Sequence, residues 1–142
     1  MSLRPDIAAC WVYRIAPSGN LEILLIRRAP GRRYAGIWQC VTGKVEPGER
    51  IVDAALRELT EETGLGGDDL EAFLETDIVS TFHEASLDVL LVEAVFAARV
   101  GADAEVRLSE EHNAFEWLDL QAARARVTWP AYVRAIDFVE WL

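Results

Sequence analysis

The chain has 142 residues, 51% of them apolar, which is enough for one domain with a sizeable core. Its 24 acidic against 14 basic residues give a formal net charge of -10, which sets most of the surface against nucleic acid and anionic lipid and favours a soluble chain. No apolar run reaches membrane-spanning length and the N-terminus lacks a charged segment followed by a long apolar one, so neither insertion nor secretion is signalled and the cytoplasm is the default expectation.

Ile7 to Tyr13 is a nearly continuous apolar run. After the Pro17-Ser18-Gly19-Asn20 turn, Leu21 to Ile26 forms a second at hairpin distance, and the two read as paired strands. Cys10 and Cys40 lie in apolar stretches without metal-ligand spacing, which predicts buried free thiols. Ala29 to Gly36, with Pro30, Gly31 and Gly36, is a loop; Ile37 to Thr42 resumes strand character. Arg27, Arg28, Arg32 and Arg33 gather around that loop, a placement that suits either a solvated hairpin end or contact with phosphate.

Ile51, Ala55 and Leu59, with Val52, Leu56 and Thr63 beside them, form an apolar stripe at helical spacing. Arg50 stands where a Ser, Thr or Asp cap is usual, Asp53 suits the dipole of the first turn, and Gly64, Gly66 and Gly67 stop the helix. Leu70 to Thr81 and Leu87 to Val100 predict two long strands joined around Phe82 to Ser86. The lack of alternation from Val89 to Ala94 predicts that both faces of the second are covered. A polar loop from Gly101 to Asn113 precedes a short strand at Phe115 to Leu118 and a short helix at Asp119 to Arg126. Pro130 opens a last helix with Tyr132, Val133, Ile136 and Val139 on one stripe. This order predicts one domain over residues 1–142 with a three-layer α/β/α arrangement.

The stopped helix also carries Glu58, Glu61 and Glu62, whose spacing of i, i+3 and i+4 stacks three carboxylates on one side. Like charges so placed repel by roughly 0.2–0.5 kcal/mol per pair. Taken alone, such a face reads most simply as solvated. Taken as a cluster, it is an oxygen-only ligand set suited to a hard cation such as Mg²⁺, with Mn²⁺ as a substitute and with phosphates or water completing the shell.

What surrounds the helix decides between these readings. Gly43, Glu49 and the run Arg57-Glu58-Leu59-Thr60-Glu61-Glu62-Thr63-Gly64-Leu65 match the Nudix box at all nine of its specified positions within 23 residues. By this segment the chain is identified as a member of the Nudix hydrolase family. The resemblance implies an α/β/α sandwich with a mixed β-sheet and metal-dependent hydrolysis of a diphosphate linkage. It implies Glu58, Glu61, Glu62 and the Gly43 carbonyl as metal ligands, with Arg57 pairing with box glutamates to orient them and Glu49 in a structural role.

Family members differ in the general base, which leaves Glu58 open against a later loop glutamate, Glu110 or Glu111. Glu111 is favoured as an additional metal or base residue, swinging inward from a mobile loop. Arg28 and Arg33 are the candidate phosphate contacts and Phe82 a candidate base contact. His83 and His112 read as polar surface or loop residues, since neither has a second nitrogen or sulfur ligand spaced with it. Trp38, Trp117, Trp129, Trp141 and Tyr132 read as packing residues.

The segment Trp38 to Gly43, Glu111-His112 and Trp117-Leu118-Asp119 resemble the branch containing dihydroneopterin triphosphate and dATP pyrophosphohydrolases. The partner would then be a nucleoside or pterin triphosphate, cleaved to pyrophosphate and a monophosphate by a monomer or homodimer. ADP-ribose hydrolases of the family usually carry a proline past the box, and none occurs between Pro47 and Pro130. The dinucleoside polyphosphate group usually carries a tyrosine there, and none occurs between Tyr34 and Tyr132; hydrolysis of a dinucleoside polyphosphate or of another nucleoside diphosphate derivative stays open as the alternative within the enzyme class. A non-catalytic nucleotide sensor is the alternative of another class, and the intact box speaks against it.

Overall fold

A computed structural model describes residues 5–142. In chain order its elements are β1 (Ile7–Ile15), β2 (Leu21–Arg28), β3 (Trp38–Gln39), β4 (Val41–Lys44), α1 (Ile51–Thr63), β5 (Leu70–Glu84), β6 (Val89–Val100), β7 (His112–Asp119), α2 (Leu120–Arg126) and α3 (Pro130–Trp141), with a single 3₁₀ turn at Gly67–Asp69. The strands form one mixed sheet in the order β3-β2-β1-β6-β5, with β4 added to β1 and β7 to β2.

β1 organises the molecule. Its residues 8–13 are all buried, and they alternate between two helical layers. Ala9, Trp11 and Tyr13 pack with Tyr132, Ala135, Ile136 and Val139 of α3. Ala8 meets Ala54 and Ala55 of α1, while Cys10 and Val12 meet Leu59 and Leu65 at its end. A strand covered on both faces has no polar side to show, which is why its sequence reads as an unbroken apolar run. Cys10 and Cys40 are both buried free thiols, one in each layer.

One edge of β1 pairs in parallel with β6 from Ile7 to Tyr13, whereas the other edge is shared. Along Ile7 to Cys10 it pairs with β4, and along Tyr13 to Ile15 with β2. The segment 37–42, expected as one strand, therefore breaks at Cys40: β3 follows β2 at Arg27, and β4 crosses to β1. Chain 45–50 leaves β4 at this divergence and enters α1.

α1 starts at Arg50 without a side-chain cap and ends on Gly64 at φ 73°, whose N–H reaches the Thr60 carbonyl. The stripe differs from expectation in one respect: its buried line is Ala54, Ala55, Leu59, Glu62 and Thr63, so one carboxylate lies on the packed side rather than opposite it. The β5–β6 hairpin is also longer than the sequence suggests, with β5 running to Glu84 and its turn at residues 85–88. Among the described residues no helix is long and apolar enough to cross a membrane.

Candidate active site

The three helix carboxylates occupy three depths. Glu61 is exposed, the Glu58 side chain keeps 13% of its surface and Glu62 keeps 1%. Arg57 gathers the outer two. Its Nε and Nη2 donate to the two oxygens of Glu49 at 2.8 and 2.9 Å, while Nη1 reaches Glu58 at 2.7 Å and Glu61 at 3.2 Å. A further Nη2 bond to the Lys44 carbonyl at 2.9 Å ties the helix to the incoming loop. The planar guanidinium fork makes all these contacts from one rigid group, which a lysine could not reproduce.

Gly43 is required for space. A Cβ there would fall 2.0 Å from Cδ and 2.3 Å from Oε1 of Glu58, so the carboxylate lies directly against the β4 backbone. Next along β4, the Thr42 N–H donates to Glu62 Oε2 at 3.1 Å.

The loop before β7 is held down. Arg107 N–H donates to the Thr63 carbonyl at 2.7 Å, Ser109 N–H to that of Glu62 at 3.4 Å, and the Glu111 carbonyl accepts from Ala29 N–H at 2.9 Å. Glu110 faces solvent, whereas Glu111 brings a carboxylate oxygen within 4.8 Å of ligand atoms on Glu62 and His112. Glu111 therefore reaches the cluster from a docked backbone, where the sequence suggested a swing from a mobile loop.

His112, expected at the surface, is 3% exposed and part of this cluster. Its ring nitrogens lie 2.9 Å from the Gln39 amide and 3.8 Å from Glu62 Oε1. A register shift explains the difference. Ala114 pairs with Arg27 and His112 with Arg28, so Asn113 is an extra residue, held by Arg27 Nε at 2.9 Å. Such a bulge re-aims the next side chain. Strict alternation would have pointed Asn113 toward α1, and the bulge points His112 there instead. His83 does lie at the surface, paired with Asp88.

The arginines divide. Arg28, opposite His112, sits close enough to the cluster to pull the Glu62 carboxyl down and to oppose protonation of the imidazole. Arg33 is engaged with Glu84 of β5, whose carboxyl also accepts from Ser86 and is held below its usual range. Phe82 lies on β5 opposite Leu91, 39% exposed. Of the packing aromatics, Tyr132 is buried edge-on against Trp11, while Trp141 is 82% exposed and is not a core residue.

Without a cation the cluster is electrostatically unfavourable. Burial, then the Glu58 and Glu111 carboxylates, push Glu62 up to about 9, against the weaker pull of the Thr42 N–H and Arg28. Burial also raises Glu58, opposed by Arg57. His112 is pushed down to about 4 by burial and by Arg28 and Arg32, so the ring is neutral near pH 7. Among the described residues, two buried side-chain atoms of the cluster, Glu62 Oε1 and His112 Nδ1, have no hydrogen-bond partner. Convergent carboxylates with such orphaned atoms fit a divalent cation.

The NUDIX domain family model matches residues 4–142. The rat asymmetrical bis(5'-nucleosyl)-tetraphosphatase is 35% identical over 108 residues, covering 73% of this chain and 68% of that protein. An octanoyltransferase from Myxococcus xanthus is 44% identical over 108 residues; the match takes in 75% of this chain but only 29% of that protein. Among solved structures, the Escherichia coli dihydroneopterin triphosphate pyrophosphohydrolase has a TM-score of 0.74 at 26% identity, over 92% of each chain.

Proposed function

The chain belongs to the NUDIX domain family of pyrophosphohydrolases, and on that premise we propose that it cleaves a nucleoside or pterin triphosphate to a monophosphate and pyrophosphate. One observation supports this placement: Glu62 and Glu111 bring ligand atoms together with His112, Glu58 lies against Gly43 of β4 close enough to raise Glu62, Arg57 joins Glu58 to the exposed Glu61, and Arg28 acts on Glu62 from beside them. Glu58, Glu61, Glu62, Glu111 and the Gly43 carbonyl would hold the divalent cation that hydrolases of this family use, and Mg²⁺ suits the oxygen set. When bound, the cation neutralises charge on the phosphate oxygens and acidifies the attacking water.

The protein's own groups do the rest. Glu58 and Glu111 are the two carboxylates placed to accept the water's proton, Glu58 from a position fixed by Arg57 and Glu111 from the docked loop. Arg57 is a positioning residue, since its donors are spent on Glu49, Glu58, Glu61 and the Lys44 carbonyl. Arg28 offers a fixed positive charge to the phosphate chain. Arg33, engaged with Glu84, would act by holding the 29–36 loop against the β5–β6 hairpin on which Phe82 could meet the base.

Similarity to the E. coli dihydroneopterin triphosphate pyrophosphohydrolase supports the triphosphate reading. Similarity to the rat tetraphosphatase favours a second, hydrolysis of a dinucleoside polyphosphate. A panel of both substrate classes in H₂¹⁸O separates them: pyrophosphate from a triphosphate supports the first, a nucleoside triphosphate product the second. Glu61→Gln and Glu62→Gln should each nearly abolish turnover while leaving the fold intact. Metal-dependent turnover unchanged in both would remove the assignment, and tight binding without hydrolysis across the panel would indicate a sensor.

A further inference from the structure

The two orphaned atoms face each other. Glu62 Oε1 and His112 Nδ1 lie 3.8 Å apart on side chains that are 1% and 0% exposed, too far for a hydrogen bond and shut off from bulk solvent. Both side chains are held from the β3–β4 segment: the Thr42 N–H fixes Glu62 Oε2, and the Gln39 amide lies 2.9 Å from His112 Nε2. Glu111 contributes a third ligand atom within 4.8 Å of the others. Buried polar atoms in native proteins find partners, so two such atoms facing one another call for a shared one. A water has only two protons to donate and brings no charge to two neighbouring carboxylates. A cation satisfies all three groups, and a separation of 3.8 Å is within two metal–ligand bonds of about 2.0–2.2 Å.

We propose that His112 is a nitrogen ligand, through Nδ1, for a divalent cation shared with Glu62 and Glu111, so that this pocket takes Zn²⁺ and Co²⁺ more tightly than Mg²⁺. The inference rests on the reading above that these carboxylates hold a cation, and adds the nitrogen. Imidazole suits the later transition metals, whereas carboxylate and water suit Mg²⁺. A ligating imidazole donates its other N–H to an acceptor. In the structure the amide nitrogen of Gln39 faces His112 Nε2; a half-turn of that amide brings its oxygen there instead, which puts the proton on Nε2 and leaves the Nδ1 lone pair for the cation. The sequence does not mark His112 as a ligand, because its partners are a helix glutamate and a loop glutamate with no second nitrogen or sulfur ligand spaced with it.

The test titrates the chelator-treated protein, with ¹⁵N in its two histidines, separately with Zn²⁺ and Mg²⁺, reading imidazole nitrogen shifts and calorimetric affinity. Zn²⁺ should shift His112 Nδ1 strongly and leave His83 in place. His112→Asn, which keeps an oxygen near the Nδ1 position, should lose about tenfold or more in Zn²⁺ affinity while Mg²⁺ changes less than about threefold. An unmoved Nδ1 resonance in wild-type protein with Zn²⁺ bound overturns the inference whether or not the variant folds, as does equal weakening of both metals. If Mg²⁺ still binds in that case and Glu62→Gln abolishes its binding, the carboxylate site stands and only the nitrogen ligand falls. Failure of both metals to bind wild-type protein overturns both.

Discussion

Gly43→Ala is the sharpest probe of the site because it adds one methyl group against Glu58. The alanine Cβ would lie 2.0 Å from Cδ, 2.3 Å from Oε1 and 2.5 Å from Cγ, so the whole carboxyl group must retreat by more than an ångström. Retreat breaks the 2.7 Å bond to Arg57, between side chains 24% and 13% exposed. Overpacking of this kind costs about 1–3 kcal/mol. The lost charged hydrogen bond adds about 1 kcal/mol after allowance for its partial exposure. A total of about 3 kcal/mol corresponds to a Tm drop of about 10 °C for a chain of this size. Because Glu58 is displaced by a distance known to matter in catalysis, kcat/KM should fall about a hundredfold. Gly48→Ala is the control. Gly48 sits at φ +77° with nothing within 4 Å of where an alanine Cβ would lie, so alanine there meets only left-handed backbone strain of about 1–2 kcal/mol, and turnover should persist. In thermal melts of a Glu58→Ala background, the added effect of Gly43→Ala should shrink to below about 0.5 kcal/mol, since the clashing atoms are gone. The reasoning is refuted if Gly43→Ala melts with wild-type protein and keeps its turnover, or if its effect is undiminished in that background.

Two other perturbations follow from the electrostatics. Arg57→Lys should lose about as much as Arg57→Ala, roughly 2 kcal/mol in urea unfolding together with most of the turnover, because the fork that joins Glu49, Glu58, Glu61 and the Lys44 carbonyl has no ammonium counterpart; recovery of wild-type behaviour by lysine would contradict it. The metal-free protein should become less stable as pH rises. Glu62, at about 9 when folded against 4.5 ordinarily, holds an extra proton in the folded state across that window, and Glu93, raised to about 7 by burial, adds to the loss below pH 7. His112 works in the opposite sense between about 4 and 6.5, where the unfolded chain binds the proton that the buried ring refuses, so it offsets one carboxylate and leaves a net fall. Above pH 7 the fall belongs chiefly to Glu62, joined toward pH 9 by Cys10 and Cys40, whose thiols burial raises. Melts at pH 5, 7 and 9 with chelator, repeated with a divalent cation, should show a downward trend that the cation reduces, because bound metal keeps Glu62 ionised; a flat metal-free profile would count against the buried carboxylate.

How much of this was legible in the sequence depended on whether a pattern recorded depth or only direction. β1 and β2 announced themselves because strands covered on both faces have no polar alternation, and α1 because apolar spacing, an early Asp53 and a glycine stop agree. The Glu58, Glu61 and Glu62 triplet was equally plain as a direction, yet its depths were not. Glu62 follows Leu59 by one helical turn and inherits its burial, while Glu61 points to solvent and Glu58 lies between them. Helical periodicity places side chains around an axis; the small Ala54 and Ala55, which let α1 approach the sheet, set how deep that axis lies. His112 lay further out of reach. Its inward position depends on one extra residue in β7, and a bulge leaves no mark in period-two patterning except a failure to alternate, which the polar run Ser109 to Asn113 hides. Counting back through the bulge from Phe115, opposite Ile26, puts His112 opposite Arg28 and beside Gln39, which is itself opposite Ile26 across the other edge of β2. The box identifies the family from one helix and one turn. The nitrogen that faces Glu62 comes from the far edge of the same sheet, and only strand register brings it there.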